Sequence, residues 1–219
     1  MHKLPIVILI SGRGSNMHAI LEQSARGALA VDIRAVVSNK PDAPGLATAR
    51  AAGIPTEVVD HRDYDTRNDY DSALQTAIDR YQPALVVLAG FMRILTPVFV
   101  RHYQGRLINI HPSLLPAFRG LNTHRRALEA GATEHGASVH FVTEELDGGP
   151  VIVQARVSVH TDDTADTLAA RVLNIEHRLY PTAIDWFAAG RLRYREGAVW
   201  LDDHALTAPI QLDLGNADT

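Results

Sequence analysis

The chain has 219 residues, 21 of them lysine or arginine and 25 aspartate or glutamate, so its formal net charge is −4 with neutral histidines. It contains eleven histidines and no cysteine. The mild negative charge argues against a general nucleic-acid binder, which needs a basic surface. The lack of cysteine excludes a disulfide scaffold, thiol catalysis and every cysteine-containing metal site. The longest apolar run, 84–92, is far shorter than the about 20 residues of a membrane span.

The first half of the chain alternates short apolar runs with helical patterns, an order that is typical of a parallel sheet packed with helices. Continuous apolar runs predict strands that are covered on both faces, and apolar residues spaced three or four apart predict helices. The predicted strands are 5–10, 33–38, 56–59, 84–89 and 107–110, and the predicted helices are 16–26, 45–52, 67–81 and 97–103.

The second half has a different pattern. Segments 137–142 and 151–159 alternate polar and apolar residues on either side of a turn-rich connection, which predicts neighbouring antiparallel strands. A long helix is predicted over 164–189 and a short hairpin over 193–201. The predicted fold class is therefore α/β, with a mostly parallel central sheet, helices on both faces and an antiparallel part in the C-terminal half.

The sequence shows no internal repeat, linker or charge block, so we expect a single domain over 1–205, followed by a loose tail over 206–219. The halves of this domain are expected at about 1–100 and 101–205. The apolar stretch 4–10 is short and lacks a small-residue cleavage site. We therefore interpret it as the first strand and not as a signal peptide, and expect a cytoplasmic protein.

A glycine-rich turn, Ser11-Gly12-Arg13-Gly14-Ser15-Asn16, follows the first predicted strand and opens a helix. Free N–H groups and the helix dipole make such a turn an anion site. A dinucleotide fingerprint needs a glycine where Met17 stands, and a Walker A loop needs Gly-Lys-Ser/Thr, so NAD and ATP are disfavoured. Two interpretations stay open: a site for a phosphate monoester, or an ordinary turn with Ser15 or Asn16 as N-cap.

Asn109 and His111 stand two residues apart at the end of a predicted strand, so their side chains point to the same face. Ligands bind at the carboxyl ends of strands in such sheets. Histidine is the commonest general acid or base near neutral pH, and an asparagine amide can stabilise an oxyanion. Asp147, within Leu-Asp-Gly-Gly-Pro, is a possible charged partner of His111. The alternatives are a buried, hydrogen-bonded histidine and a turn-forming aspartate.

Other polar residues are weaker candidates. Arg67 either meets an anion or caps a helix start, and His140 is by default a satisfied core histidine. His124 and Glu176 lie on predicted helices. The sequence has no H-E-x-x-H and no cluster with metal-ligand spacing, so we expect no metal. It has no G-x-S-x-G either, which leaves a serine hydrolase without support.

Four motifs occur in a fixed order: 9–16 (LISGRGSN), 88–95 (LAGFMRIL), 109–116 (NIHPSLLP) and 146–150 (LDGGP). Together they resemble the phosphoribosylglycinamide formyltransferases of the formyltransferase superfamily, over about residues 5–203. The resemblance implies a Rossmann-like formyltransferase domain that moves a formyl group from 10-formyltetrahydrofolate, as co-substrate and without a metal, to the amine of glycinamide ribonucleotide. It implies a role in one-carbon metabolism and purine biosynthesis, with small-molecule substrates, no nucleic-acid or membrane partner, and a monomer or homodimer.

The resemblance also implies residue roles, with phosphate binding in the N-terminal half and folate binding and catalysis in the C-terminal half. The catalytic residues would be Asn109, His111 and Asp147. The ribonucleotide would be bound by Gly14, Ser15, Asn16 and Glu176, and folate by Arg67, Met92, Arg93, Ile94, Leu95, Asn109, Thr143, Glu144, Glu145, Leu146 and Asp147.

The chain departs from the family pattern at two places. Residues 117–122 read Ala-Phe-Arg-Gly-Leu-Asn, where Lys, an aromatic residue, Pro, Gly, Leu and His are common. Leu173 stands where a polar residue is frequent, so no ribonucleotide contact is carried over to it. We expect local substrate contacts to differ there.

Three other functions fit parts of the pattern. A formyltetrahydrofolate hydrolase uses water in place of the amine, but such enzymes carry an extra N-terminal regulatory domain, which we do not expect here. A methionyl-tRNA formyltransferase needs an additional C-terminal domain. A non-catalytic nucleotide-binding module would use only the glycine-rich turn and would not require Asn109, His111 and Asp147.

Overall fold

Five apolar runs form parallel strands: β1 (Leu4–Ile10), β2 (Val31–Ser38), β3 (Thr56–Val58), β4 (Leu85–Leu88) and β5 (Leu107–His111). In the computed structural model, which describes residues 3–214, they pair in the order β3-β2-β1-β4-β5. Strand β1 is buried from Ile6 to Ile10, as expected for a run without polar alternation. The chain order reverses between β1 and β4, where α/β sheets bind ligands at the carboxyl ends of their strands.

Four helices connect these strands: α1 (Ser15–Ala25), α2 (Pro44–Ala51), α3 (Arg67–Asp79) and α4 (Pro97–His102). Their starts follow known capping chemistry. The Thr66 hydroxyl accepts the Asp69 backbone N–H at the start of α3 over 3.2 Å, and Thr96 caps α4 ahead of Pro97. Such caps fix the residue at which each helix begins. They therefore also fix where the loop between the preceding strand and the helix ends.

The chain forms two compact units that divide between Asn109 and Ile110. In the second unit β6 (Glu134–Phe141) and β7 (Val151–Ser158) are antiparallel, and β11 (Ile210–Leu212) runs parallel to β7. A small antiparallel sheet is built from β8 (Leu192–Arg195), β9 (Ala198–Leu201) and β10 (His204–Ala205). The helices are α5 (Thr123–Glu129) and α6 (Ala165–Ala188), and α6 starts with a capping box between Thr164 and Thr167.

The predicted α/β class, with a mostly parallel sheet and an antiparallel part in the C-terminal half, is confirmed. The predicted loose tail is wrong at 210–212, because these residues form β11, and Gln211 Nε2 donates to Gln154 Oε1 over 3.0 Å. Residues 215–219 of that tail lie outside the described residues, and the single domain over 1–205 stays a prediction. Within 3–214 no helix is long and apolar enough to cross a membrane.

Candidate active site

His111 ends strand β5 and is buried, with acceptors facing both of its ring nitrogens. Its Nδ1 lies 3.5 Å from Asp147 Oδ2, and its Nε2 lies 3.1 Å from the carbonyl oxygen of Phe118. Because a carbonyl oxygen only accepts, Nε2 carries the hydrogen of that bond. The ring is therefore held in one orientation, and the predicted His111–Asp147 contact is present. Asn109 lies two residues earlier on the same strand, where alternation puts its side chain on the same face.

Asp147 is held in an unusual backbone conformation between β6 and β7. Its φ is 48°, in the left-handed region that non-glycine residues rarely adopt. The Gly120 backbone N–H donates to its Oδ2 over 2.9 Å, and its side chain is only 10% exposed. Such strain persists only where the surroundings fix it, and it is frequent at functional sites. The carboxylate is thus positioned by the fold and not by solvent.

The segment that carries Asp147 packs tightly on the end of β6. A Cβ on Gly149 would lie 1.9 Å from the Phe141 carbonyl oxygen, so only glycine fits at that position. The Gly148 N–H donates to the Glu145 carbonyl oxygen over 3.1 Å, and the Phe141 N–H donates to the Pro150 carbonyl oxygen over 3.1 Å. Gly149, two residues after Asp147 in Leu-Asp-Gly-Gly-Pro, therefore permits a close approach to the backbone of Phe141.

His140 also faces Asp147, a contact that sequence reasoning missed. Its Nε2 lies 3.8 Å from Asp147 Oδ1, and its Nδ1 lies 3.0 Å from the Phe141 carbonyl oxygen. Burial lowers the pKa of His140 to about 4, so the ring is neutral at neutral pH. The interpretation of His140 as a satisfied core histidine is thus incomplete. The sequence signal for this contact is the position of His140 near the end of β6, directly before the segment that leads to Asp147.

The segment after β5 contains the departure from the family pattern at 117–122. Phe118 and Asn122 have φ values of 54° and 56°, and the Leu115–Pro116 peptide bond is cis. Arg126 Nη1 donates to the Arg119 carbonyl oxygen over 2.6 Å, which supports this irregular backbone. The Arg119 guanidinium forms an ion pair with Glu145. The unusual arginine therefore connects the segment that contacts His111 to the segment that carries Asp147.

Two buried histidines make stability depend on pH. Burial lowers the pKa of both His135 and His140 to about 4, so the unfolded chain binds more protons than the folded protein between about pH 6.5 and pH 4. The contribution of the two neutral histidines to the free energy of unfolding is fully present above about pH 6.5 and is lost as the pH falls towards about 4. We expect the free energy of unfolding to drop by roughly 2 kcal/mol per histidine between pH 7 and pH 5.

Urea unfolding at pH 7 and pH 5 checks this expectation, with the exposed His18→Ala variant as the control that keeps the same pH dependence. A free energy of unfolding that stays constant or rises towards pH 5 would contradict it.

The glycine-rich turn lies in the first unit, between β1 and α1. Helix α1 begins at Ser15 after Gly14, which has a φ of 68°, and its N-terminus has no side-chain cap. The alternative with Ser15 or Asn16 as N-cap is therefore wrong. A Cβ on Gly45 would lie 3.0 Å from the Gly12 carbonyl oxygen, so the start of α2 closely approaches the turn. A helix start without a side-chain cap is a common place for an anion to bind.

The residues predicted to bind folate in the first unit fall into two groups. Arg67 is exposed at the first position of α3. After β4, Met92 and Ile94 are 63% and 56% exposed, which is unusual for large apolar side chains. The Arg93 guanidinium lies 5.4 Å from the centre of the buried Tyr70 ring. An exposed apolar pair beside an arginine suits a ligand with a flat ring and an acidic group.

The remaining predicted residues lie in the second unit. Thr143 is partly exposed, and Glu144, Glu145 and Leu146 are exposed along the segment that leads to Asp147. Glu176 is buried on α6, with 7% of its surface exposed. Within 3–214 no group of three or more His, Asp or Glu side chains is arranged to hold a metal.

These features define an α/β protein with a buried histidine–aspartate pair and a glycine-rich turn at an uncapped helix start. The formyl transferase family model matches residues 4–184. The chain is 57% identical to phosphoribosylglycinamide formyltransferase of Escherichia coli K12 over 201 residues, 92% of this chain and 95% of the relative. The solved structure of the Coxiella burnetii enzyme of that name superposes with a TM-score of 0.93, at 53% identity, over 96% of this chain and 100% of the other.

A more distant solved structure, a formyltetrahydrofolate deformylase from Pseudomonas syringae, has a TM-score of 0.84 at 26% identity, over 91% of this chain and 66% of the other. The extent of the family match and the identity to the Escherichia coli protein settle the family. The chain belongs to the formyl transferases.

Proposed function

We propose that the protein transfers the formyl group of 10-formyltetrahydrofolate to the amine of glycinamide ribonucleotide, giving formylglycinamide ribonucleotide and tetrahydrofolate in de novo purine biosynthesis. The observation that carries this function is the 57% identity to the Escherichia coli enzyme over nearly the full length of both chains. The buried His111–Asp147 pair supports it, because a protein that only binds nucleotides needs no such pair.

The reaction begins when the ribonucleotide amine attacks the formyl carbon. A tetrahedral intermediate forms, and its oxyanion needs hydrogen-bond donors. We assign this role to the Asn109 amide and to protonated His111, whose Nε2 hydrogen would leave the Phe118 carbonyl oxygen for the oxyanion. The bond between the carbon and the folate nitrogen then breaks. The proton lost by the incoming amine passes to the leaving nitrogen through His111 or a bound water, while Asp147 holds the imidazole. No covalent enzyme intermediate forms, which agrees with a chain without cysteine.

Binding two substrates side by side supplies much of the rate enhancement through proximity. The start of α1 lacks a side-chain cap, and the positive end of its helix dipole favours a dianionic phosphate there. We assign Gly14, Ser15 and Asn16 to that phosphate. We assign Glu176 to the ribonucleotide as well. We assign the folate to Arg67, Met92, Arg93, Ile94, Leu95, Asn109, Thr143, Glu144, Glu145, Leu146 and Asp147.

Several further properties stay predictions: small-molecule substrates alone, with no nucleic-acid, membrane or metal partner, a monomer or homodimer, and a cytoplasmic location. The hydrolase alternative has the weaker support, because the deformylase is 26% identical to this chain and the Escherichia coli transferase 57%. A steady-state assay decides between the two functions. Loss of the folate formyl group should require glycinamide ribonucleotide, whereas equal loss in its absence would establish the hydrolase.

Ser15→Ala and Asn16→Ala should each weaken ribonucleotide binding about tenfold and leave kcat within about twofold, because a hydrogen bond to a charged group contributes about 1.5 to 3 kcal/mol. Calorimetric titration with glycinamide ribonucleotide measures the change. His18→Ala, on the exposed side of the same helix, is the control that keeps wild-type affinity. Unchanged affinity in both Ser15→Ala and Asn16→Ala would refute the anion-site assignment.

A further inference from the structure

The hydroxyl of Ser11 connects the ends of three neighbouring strands in the first unit. Ser11 directly follows β1, Asn39 directly follows β2, and Met92 lies in the segment after β4. Ser11 Oγ donates to Asn39 Oδ1 over 2.5 Å and accepts the Met92 backbone N–H over 2.7 Å. Ser11 and Asn39 are only 6% and 1% exposed. The backbone adds a third contact, since the Ser11 N–H donates to the Gly90 carbonyl oxygen over 3.1 Å.

The directions of these bonds are fixed by chemistry. A backbone N–H only donates, so Met92 occupies a lone pair of the Ser11 oxygen, and the single hydroxyl hydrogen is left for Asn39. Removing the hydroxyl deprives two groups of their partner in a largely dry environment. A lost partner of this kind is costly, because water does not replace it easily. The hydroxyl therefore holds these segments together at the carboxyl ends of the strands, where ligands bind in such sheets.

We propose that Ser11 is a positioning residue for both substrates. It fixes the segment 90–95, assigned to folate, relative to the turn 12–16, assigned to the ribonucleotide phosphate. The inference rests on the proposed function, which supplies these two assignments. Ser11 itself is assigned no contact with either substrate, so its effect is transmitted through the backbone of Met92 and through its own neighbour, Gly12.

Ser11→Ala should raise the KM for both substrates by about five- to tenfold, while kcat falls by less than about threefold, because the His111–Asp147 pair is untouched. The backbone amide of Met92 should exchange its hydrogen at least about tenfold faster, measured by NMR, since its acceptor is gone. Ser24→Ala is the matched control: it removes a hydroxyl that donates to the Val31 carbonyl oxygen over 3.4 Å at the end of α1, away from both segments. It should change neither KM nor Met92 exchange.

The proposal is overturned if Ser11→Ala keeps the wild-type KM for folate and the wild-type exchange rate of Met92. It is also overturned if Ser24→Ala raises both KM values to the same extent, which would indicate ordinary destabilisation. If Ser11→Ala does not fold, Ser11→Cys replaces it, because a thiol has a similar shape and forms weaker hydrogen bonds. Its KM values and its Met92 exchange rate should change in the same direction but less. A Ser11→Cys variant with wild-type KM values and wild-type Met92 exchange would overturn the proposal.

The proposed function and the positioning role of Ser11 are refuted by different results. If the wild-type protein transfers no formyl group to the ribonucleotide, the proposed function fails, and the positioning role for these substrates fails with it. If the wild type transfers the group and Ser11→Ala retains both wild-type KM values, the positioning role alone is refuted.

Discussion

Replacing His111 with alanine should lower kcat by about a thousandfold, while ribonucleotide affinity stays within about twofold of the wild type. The ring supplies a donor for the oxyanion and a route for the proton, and both are lost together. Asp147→Asn should lower kcat by a similar factor, because an amide cannot replace the carboxylate that lies 3.5 Å from His111 Nδ1. Steady-state rates and calorimetry with the ribonucleotide separate the two effects.

His204→Ala is the control for this pair, because His204 is exposed on β10 and has no assigned role. It should keep full activity. Unimpaired turnover in His111→Ala or in Asp147→Asn would remove that residue from the catalytic assignment. Lost ribonucleotide binding in both would instead indicate a general disturbance of the fold.

Gly149→Ala should destabilise the protein by about 3 kcal/mol and lower kcat by at least about a hundredfold. The added Cβ would lie 1.9 Å from the Phe141 carbonyl oxygen, and that oxygen is backbone, so the segment itself must move. Asp147 stands two residues earlier, and its carboxylate would lose its alignment with His111. Urea unfolding gives the stability change, and the formyl-transfer rate gives the activity change.

Gly190→Ala separates strain from misalignment. Gly190 has a φ of 71° and open space around its Cα, so alanine there costs about 1 kcal/mol without touching the site. It should keep the wild-type kcat. Wild-type turnover in Gly149→Ala would show that the close approach to Phe141 does not position Asp147.

The strands of the first half could be predicted because short continuous apolar runs between turn residues are typical of buried strands. The elements that were missed lack that signal. Strand β6 begins at Glu134, three residues before the predicted start. Its first three residues are polar or glycine, so the apolar pattern did not reveal them. Strand β11 has only three residues, and its pairing with β7 is a long-range contact that local pattern does not encode.

The part of the candidate site that consists of side chains could be predicted from the sequence. Asn109, His111 and Asp147 stand out as motif residues, and the structure brings the last two together. The remaining partners are backbone groups, the Phe118 carbonyl and the Gly120 N–H, whose positions depend on positive φ values in an irregular segment. Residue type alone does not reveal such contacts.

A single-turnover reaction with 10-formyltetrahydrofolate labelled in the formyl carbon distinguishes direct transfer from hydrolysis and from a formylated enzyme. Enzyme is mixed with labelled folate and glycinamide ribonucleotide, and the label is followed in folate, ribonucleotide, formate and protein. Direct transfer predicts that one equivalent of label passes from folate to the ribonucleotide, with none retained on the protein and none released as formate. Label that appears mainly as formate, or as a formyl group attached to the protein, would contradict it.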